Sequence, residues 1–298
     1  MELERRFPDE ASCRDYLIAL RWPDGPVCPR CGQHEGIMIR RALWRCHACR
    51  RETSVMAGTV FQDSKVPLTV WFRAMWQITS QKNGISALGI KRVLGLGSYE
   101  TSWSMLHKLR RAMIRPGRER LHGAVEVDES YYGGEEEGVN GRQTEKKALI
   151  AVAAEVVPGS VSAIGRIRLA HIPDTRRETL HGFISRSVEP GSTVITDGLQ
   201  SYRDLNGYVH QRQIRKRMIE EEALLPRVHR VAALLKRRLL GTHQGAVEHE
   251  HLDDYLNEFT FRFNRRTSKS RGKLFYRLAQ QAVFTPPAPY KTLLKHKW

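Results

Sequence analysis

GAVEVDESYYGG, residues 123–134, decides how this chain is read. The apolar-rich run at 124–127 has strand character, leads to Asp128, and is closed by the Gly133-Gly134 turn. STVITDG, residues 192–198, repeats the plan, with a short strand, then Asp197, then Gly198. An acid at the end of a strand and followed by glycine lies at a sheet edge with room for a ligand. Two such acids on neighbouring strands can bridge two divalent cations about 3.5–4 Å apart, one activating an attacking oxygen and one stabilising the leaving oxygen. Glu126 shares the strand face of Asp128 and Glu129 is adjacent, so the pattern alone leaves both as alternatives for the first acid.

Outward from these two segments the texture is α/β. KALIAVAAEVV (147–157) and SAIGRIRLAHIP (162–173) read as strands. A helical stretch at 175–188 precedes the second acid, and two more follow Pro226, near 227–240 and 248–264. Upstream, residues 66–118 carry apolar positions at helical spacing. Within them, 85–94, the break Gly95-Leu96-Gly97, and 99–113 have helix-turn-helix proportions. The second of these helices carries Ser102, Ser104, His107, Lys108, Arg110 and Arg111, which suit a helix lying against DNA; a basic amphipathic hairpin of another kind has the same look. Trp71, Trp76 and Trp103 fall at core spacings rather than where bases would stack.

Near the N-terminus, Cys28-Pro-Arg-Cys31 and Cys46-His-Ala-Cys49 form two CxxC knuckles with 14 residues between them. Each knuckle offers two thiolates, and together they complete a tetrahedral four-sulfur site that suits a closed, structural Zn²⁺. The segment has too few large apolar residues to fold on burial alone, so metal binding and folding are coupled. Cys13 lies outside the pattern and reads as a small buried residue. Arg41, Arg45, Arg50 and Arg51 surround the second knuckle, where they are able to touch phosphates.

Composition narrows the partner. The 298 residues include 49 Lys and Arg against 32 Asp and Glu, a net charge of +17, which favours a polyanion. A membrane is disfavoured because the longest clean apolar stretch, residues 148–154, is far below the ~20 residues a spanning helix needs. MELERRFPDE has no apolar signal region, so a cytoplasmic location is expected, nucleoid-associated when bound to DNA, where cysteines hold metal more readily than they pair. The expected divisions are 1–62 (N-terminal helix and zinc ribbon), 63–118 (helical DNA-binding region), 119–285 (α/β catalytic domain) and 286–298 (basic tail).

Six segments taken together carry a resemblance: RWPDGPVCPRCG, WRCHACRRETSVMAGTVFQDSK, VEVDESYYGG, VITDGLQSY, LLKRRLLGTHQGAV and FTFRFNRR. In this order, from about Phe7 to Arg271, the chain resembles a bacterial insertion-sequence transposase with an N-terminal zinc ribbon and an RNase H-like catalytic domain of the DDE superfamily. The resemblance implies metal-dependent cleavage of element ends and strand transfer into double-stranded target DNA, by a homo-oligomer in the synaptic complex. It implies Mg²⁺ or Mn²⁺, with Asp128 as first acid and Asp197 as second. Similar transposases often place Glu, and sometimes Asn or His, seven positions before the lysine of the LLK motif. Here that lysine is Lys236 and the position is His229, with Glu221, Glu222, Glu248 and Glu250 as rivals. On a helix, His229, Ala232, Ala233 and Lys236 share one face.

A histidine ligand favours Mn²⁺ over the oxygen-preferring Mg²⁺. An imidazolium cannot ligate, so activity is expected to fall below about pH 6.5. Lys236, Arg237 and Arg238, with Arg262, Arg265, Arg266, Lys269, Arg271 and Lys273, form a basic flank expected to follow the DNA backbone. The alternatives are a DNA-binding regulator derived from an inactive transposase, and an RNase H-like nuclease that cuts without joining.

Overall fold

The computed structural model describes residues 2–39, 43–133, 147–160, 162–214 and 224–294. Among these the order is α1 (Glu2–Arg6), α2 (Glu10–Arg21), β1 (Gly36–Ile39), β2 (Leu43–Cys46), β3 (Glu52–Ser54), α3 (Leu68–Ser80), α4 (Ala87–Leu94) and α5 (Tyr99–Ala112). It continues with β4 (Ala124–Tyr132), β5 (Ala148–Val156), β6 (Ile164–Ile172), α6 (Arg177–Ser187), β7 (Thr193–Thr196) and β8 (Val209–Arg212). The last elements are α7 (Pro226–His243), α8 (Leu252–Phe263), α9 (Arg271–Ala282) and α10 (Tyr290–Leu293). No helix among the described residues is long and apolar enough to cross a membrane.

The chain forms two compact units, Met1–Arg115 with Ser268–Trp298, and Pro116–Thr267. In the first, β1, β2 and β3 make an antiparallel ribbon in which Trp44 is buried with Cys28 and Cys46. Gly36 is required there, because a Cβ would lie 2.4 Å from the Trp44 ring. The helices of this unit pack around an aromatic cluster of Phe7, Tyr16, Phe72 and Phe275. Helix α3 begins after Pro67, which offers no side-chain cap. Its exposed first N–H groups are satisfied by a distant carboxylate instead: Glu10 accepts from Leu68 N at 2.9 Å and Thr69 N at 2.8 Å. Helix α4 ends on Gly95 in the left-handed conformation, and Ser98 caps α5 through Thr101 N. Cys13 is fully buried, as its isolation from the knuckles implied, and burial pushes its thiol up to about 12.

The second unit is built on a five-stranded mixed sheet in the order β6-β5-β4-β7-β8. Strands β4, β5 and β6 are antiparallel neighbours, while β7 and β8 run parallel to β4. One face packs against α6 through Val125, Val127, Leu180, Phe183 and Ile184. The other packs against α7 and α8 through Ile150, Val152, Val231, Leu235, Leu256 and Phe259. Burial on both faces explains the nearly continuous apolar run of β5.

Several elements were not expected from the sequence, among them β8, α9 and the short α10 inside the stretch read as a basic tail. β8 is a four-residue edge strand, mostly exposed, with no apolar alternation to announce it. Helix α9 buries Leu274, Phe275, Leu278, Ala279 and Ala282, a helical spacing obscured by the basic residues around it, and it packs on α2, α3 and α5.

Candidate functional site

Each cysteine knuckle is a tight turn. Gly32 N donates to Cys28 O at 2.9 Å and Arg50 N to Cys46 O at 3.1 Å. The residue after each second cysteine, Gly32 and Arg50, takes a left-handed φ of 72° and 59°. The turns bring Cys28 Sγ within 3.4 Å of Cys49 Sγ and Cys31 Sγ within 3.6 Å of Cys46 Sγ. All four sulfurs lie within 4.8 Å of one another, the arrangement a tetrahedral structural Zn²⁺ requires. Burial works against the Cys28 thiolate, but N–H groups of Cys31 and Arg30 together with the thiols of Cys49 and Cys31 outweigh it and lower the thiol to about 6, while the Cys31 thiol in the same cluster is pushed up to about 12. Around the second knuckle, Arg45 is paired with Glu52 at 2.5 Å, and Arg41 lies outside the described residues.

The acids are set by strand register. Glu126 is the Cα partner of Ile195 across the parallel β4–β7 pair, and two steps further come Asp128 and Asp197. Asp197 directly follows β7, but Asp128 stands in the middle of β4, opposite Val152, and not at a strand end as expected, because pairing with β5 carries the strand on to Tyr132. Period-two alternation turns Glu126, Asp128 and Ser130 toward the α7 side of the sheet. Asp128 Oδ1 accepts from Glu129 N at 2.8 Å, and Oδ2 faces His229 Nε2 at 3.2 Å. Burial raises the Asp128 carboxyl above its ordinary range and the charge of Asp197 adds to the rise, while Glu129 N–H and His229 pull the other way. Asp197 Oδ1 accepts from Leu199 N at 2.9 Å, which closes the turn after β7.

A groove of about 340 Å³ is lined by Asp128, Glu129, Ser130, His229, Ala232, Ala233 and Lys236, with Asp197 outside its lining. The four α7 residues therefore share a face, and the two alanines leave the space between that face and the sheet open. His229 is 61% exposed, so it is accessible from solvent. Asp128, Asp197 and His229 do not close to within 4.8 Å of one another as the four sulfurs do.

The neighbouring acids have other partners. Glu129 Oε2 accepts from the buried Tyr202 hydroxyl at 2.8 Å, and burial with the surrounding carboxylates raises that hydroxyl far above its usual value. Glu126 is tied to the start of α7. Of the rivals for the third position, Glu221 and Glu222 lie outside the described residues, and Glu248 and Glu250 are exposed and do not line the groove. Sequence reasoning missed Tyr202 and Arg227; the only signals were a tyrosine five residues after Asp197 and an arginine directly after Pro226.

Several basic residues differ from expectation. Arg110 is 1% exposed, and Ser102 and His107 are buried with it, because α5 is surrounded within its unit by α3, α4, α9 and α10; Lys108 and Arg111 are partly exposed. Arg238 is buried against Glu258 and so ties α7 to α8, while Arg262 pairs with the same carboxylate at 3.4 Å from one turn further along α8. Arg266 donates to Ile164 O and Gly165 O and stacks over Phe263, and Arg265 donates to Phe261 O and stacks over Phe261. Lys236 and Arg237 are exposed.

Comparison with known proteins agrees with this layout. Residues 120–264 match the ISXO2-like transposase domain, and residues 8–52 match the transposase zinc-ribbon domain. A protein of Halobacterium salinarum, described as an uncharacterized protein in transposable element ISH50, is 28% identical over 307 residues, covering 90% of this chain and 95% of the relative. No solved structure matches the chain.

Proposed function

We propose that this chain, which matches a transposase zinc ribbon and an ISXO2-like transposase domain, is an insertion-sequence transposase that cuts the ends of its own mobile element and joins them to target DNA. The observation that carries this reading is the placement of Asp128 and Asp197 level on neighbouring parallel strands, with His229 across the groove. The strand order β6-β5-β4-β7-β8, antiparallel on one side of β4 and parallel on the other, supports an RNase H-like, DDE-type catalytic domain. The donor set of two carboxylates and one imidazole fits Mn²⁺ well and Mg²⁺ acceptably. Asp128, Asp197 and His229 would hold the divalent metal, which supplies Lewis-acid activation of the attacking oxygen and stabilisation of the leaving oxygen.

In the first step a water oxygen attacks the phosphodiester at the element end, and the 3′ oxygen leaves as the element's free hydroxyl. In the second, that hydroxyl attacks a phosphorus of target DNA and displaces a 3′ oxygen there. Lys236, in the groove wall, positions the phosphate being attacked, and the exposed Arg237 follows the neighbouring backbone. In the helical region, where Arg110 is buried, the partly exposed Lys108 and Arg111 of α5 add contacts to the DNA backbone. Synapsis of two element ends calls for a homo-oligomer, and the work belongs in the cytoplasm on the nucleoid. The test is a cleavage and strand-transfer assay on the element's own ends, comparing wild type with Asp128→Ala, Asp197→Ala, His229→Ala and Glu222→Ala. Loss of both products in the two aspartate variants supports the reading, and cut product without joined product in wild type replaces it with a nuclease. Full activity in His229→Ala with loss in Glu222→Ala moves the third ligand to Glu222.

A further inference from the structure

The start of α7 lacks the usual means of holding a helix end. Its N-cap is Leu225, a buried apolar residue in the left-handed conformation with φ 44°, and no side chain at that position caps the helix. Pro226 follows and has no N–H to offer. The next two N–H groups, of Arg227 and Val228, point at one carboxylate oxygen, Glu126 Oε2, at 2.7 and 3.1 Å. The other oxygen, Oε1, accepts from Arg227 Nη1 at 2.7 Å. Arg227 is itself held at both remaining positions of its fork, Nε to Ala163 O at 3.0 Å and Nη2 to Ser160 O at 2.6 Å. Glu126 is 2% exposed, so the ion pair is desolvated and its removal leaves unpaired charge.

Glu126 therefore differs in kind from Asp128, although the two share a strand face. Both of its oxygens are engaged, which leaves no place for it as a metal ligand. We propose that the Glu126–Arg227 pair is the positioning device of the site: it pins the first turn of α7 to β4 and so sets the distance of His229 from Asp128. The spacing makes this direct. Glu126 is two residues before Asp128 on β4, and Arg227 is two residues before His229 on α7, so one ion pair fixes the origin of both elements. A negative charge at the helix N-terminus also stabilises the end it anchors. This inference rests on His229 being a metal ligand.

The test uses the full-length protein as Glu126→Gln, Glu126→Ala, Arg227→Lys and His229→Ala, with Mn²⁺ as the metal probe. Two quantities are read: hydrogen exchange of the peptide spanning 225–233, and Mn²⁺ affinity by calorimetry. The expected result is faster exchange at 225–233 in the Glu126 and Arg227 variants, Mn²⁺ binding weakened about tenfold as for other outer partners of metal ligands, and unchanged exchange in β5. Combining Glu126→Gln with His229→Ala should weaken Mn²⁺ no further than His229→Ala alone, which a general loss of stability would not produce. Arg227→Lys keeps the charge without the fork, so it tests the anchor even if Glu126→Ala fails to fold. Unchanged exchange at 225–233 overturns the anchor. Faster exchange with wild-type Mn²⁺ affinity, while His229→Ala does weaken Mn²⁺, overturns the positioning role alone. Wild-type affinity in His229→Ala removes the ligand reading itself and the inference with it.

Discussion

Asp128 carries a conflict between stability and chemistry. Burial and the neighbouring Asp197 raise its carboxyl, so folding disfavours the charged form. The sign follows from linkage: a carboxyl raised in the fold costs no stability below the ordinary aspartate range, and the full cost appears once pH exceeds the raised value. At neutral pH and without metal, Asp128→Asn is therefore expected to raise Tm while reducing activity by roughly 10³-fold or more. Mn²⁺ should raise the Tm of the wild type and leave that of the variant unchanged, which differential scanning calorimetry can check. The same raised carboxyl takes up protons at a higher pH than an ordinary aspartate, so metal-supported cleavage should decline on the acid side sooner than simple carboxylate chemistry dictates. Asp128 and Asp197 stood out in the sequence because each follows an apolar run; that Asp128 lies mid-strand in β4 did not, because Ser130, Tyr131 and Tyr132 break the apolar pattern while still pairing with β5. That Glu126 and Glu129 are occupied elsewhere was not legible, because their partners Arg227 and Tyr202 lie 101 and 73 residues away in the chain.

At the scale of elements, two helices are capped by carboxylates remote in sequence. Glu10 serves α3 as Glu126 serves α7. Burial works against the Glu10 carboxylate, but the N–H groups of Thr69 and Leu68 outweigh it and lower its pKa below the ordinary value. A lowered carboxyl contributes stability that is present above the unfolded value and lost as pH falls through the folded one. Glu10→Ala should cost about 0.5–2 kcal/mol at pH 7, the range for a lost helix cap, and the difference from wild type should shrink below about pH 4, in urea titrations at several pH values. Most strands and helices could be read from periodicity, including β5, whose apolar run reflects burial on both faces. β8 could not, since its four residues are held by pairing to β7 rather than by a buried face. Arg110 and Arg238 illustrate the opposite error. Read along the chain they look like surface charge, and only packing shows that Arg110 is buried and that Arg238 spends its charge on Glu258.

For the whole molecule, a net charge of +17 gives DNA binding a strong ionic component. Lys236→Ala and Arg237→Ala should each reduce the slope of log affinity against log salt by about 1, whereas Arg238→Ala should instead lower Tm. Among the described residues the cluster around the four cysteines adds only Trp44, so the ribbon is expected to depend on a bound metal. A chelator should accelerate hydrogen exchange across 28–54 and leave β4 and β5 protected, since these belong to the other compact unit. Extended unfolding of both regions together would show that the two units do not fold separately.

On the proposed reading, Asp128, Asp197 and His229 hold the metal that drives cutting and joining. Anomalous diffraction from crystals soaked in Mn²⁺ tests it most directly. The expected result is a peak beside Asp128 in the groove between β4 and α7, within reach of Asp197 and His229, and lost in Asp128→Asn. A peak coordinated by Glu222 in place of His229, or no peak beside Asp128, would contradict it.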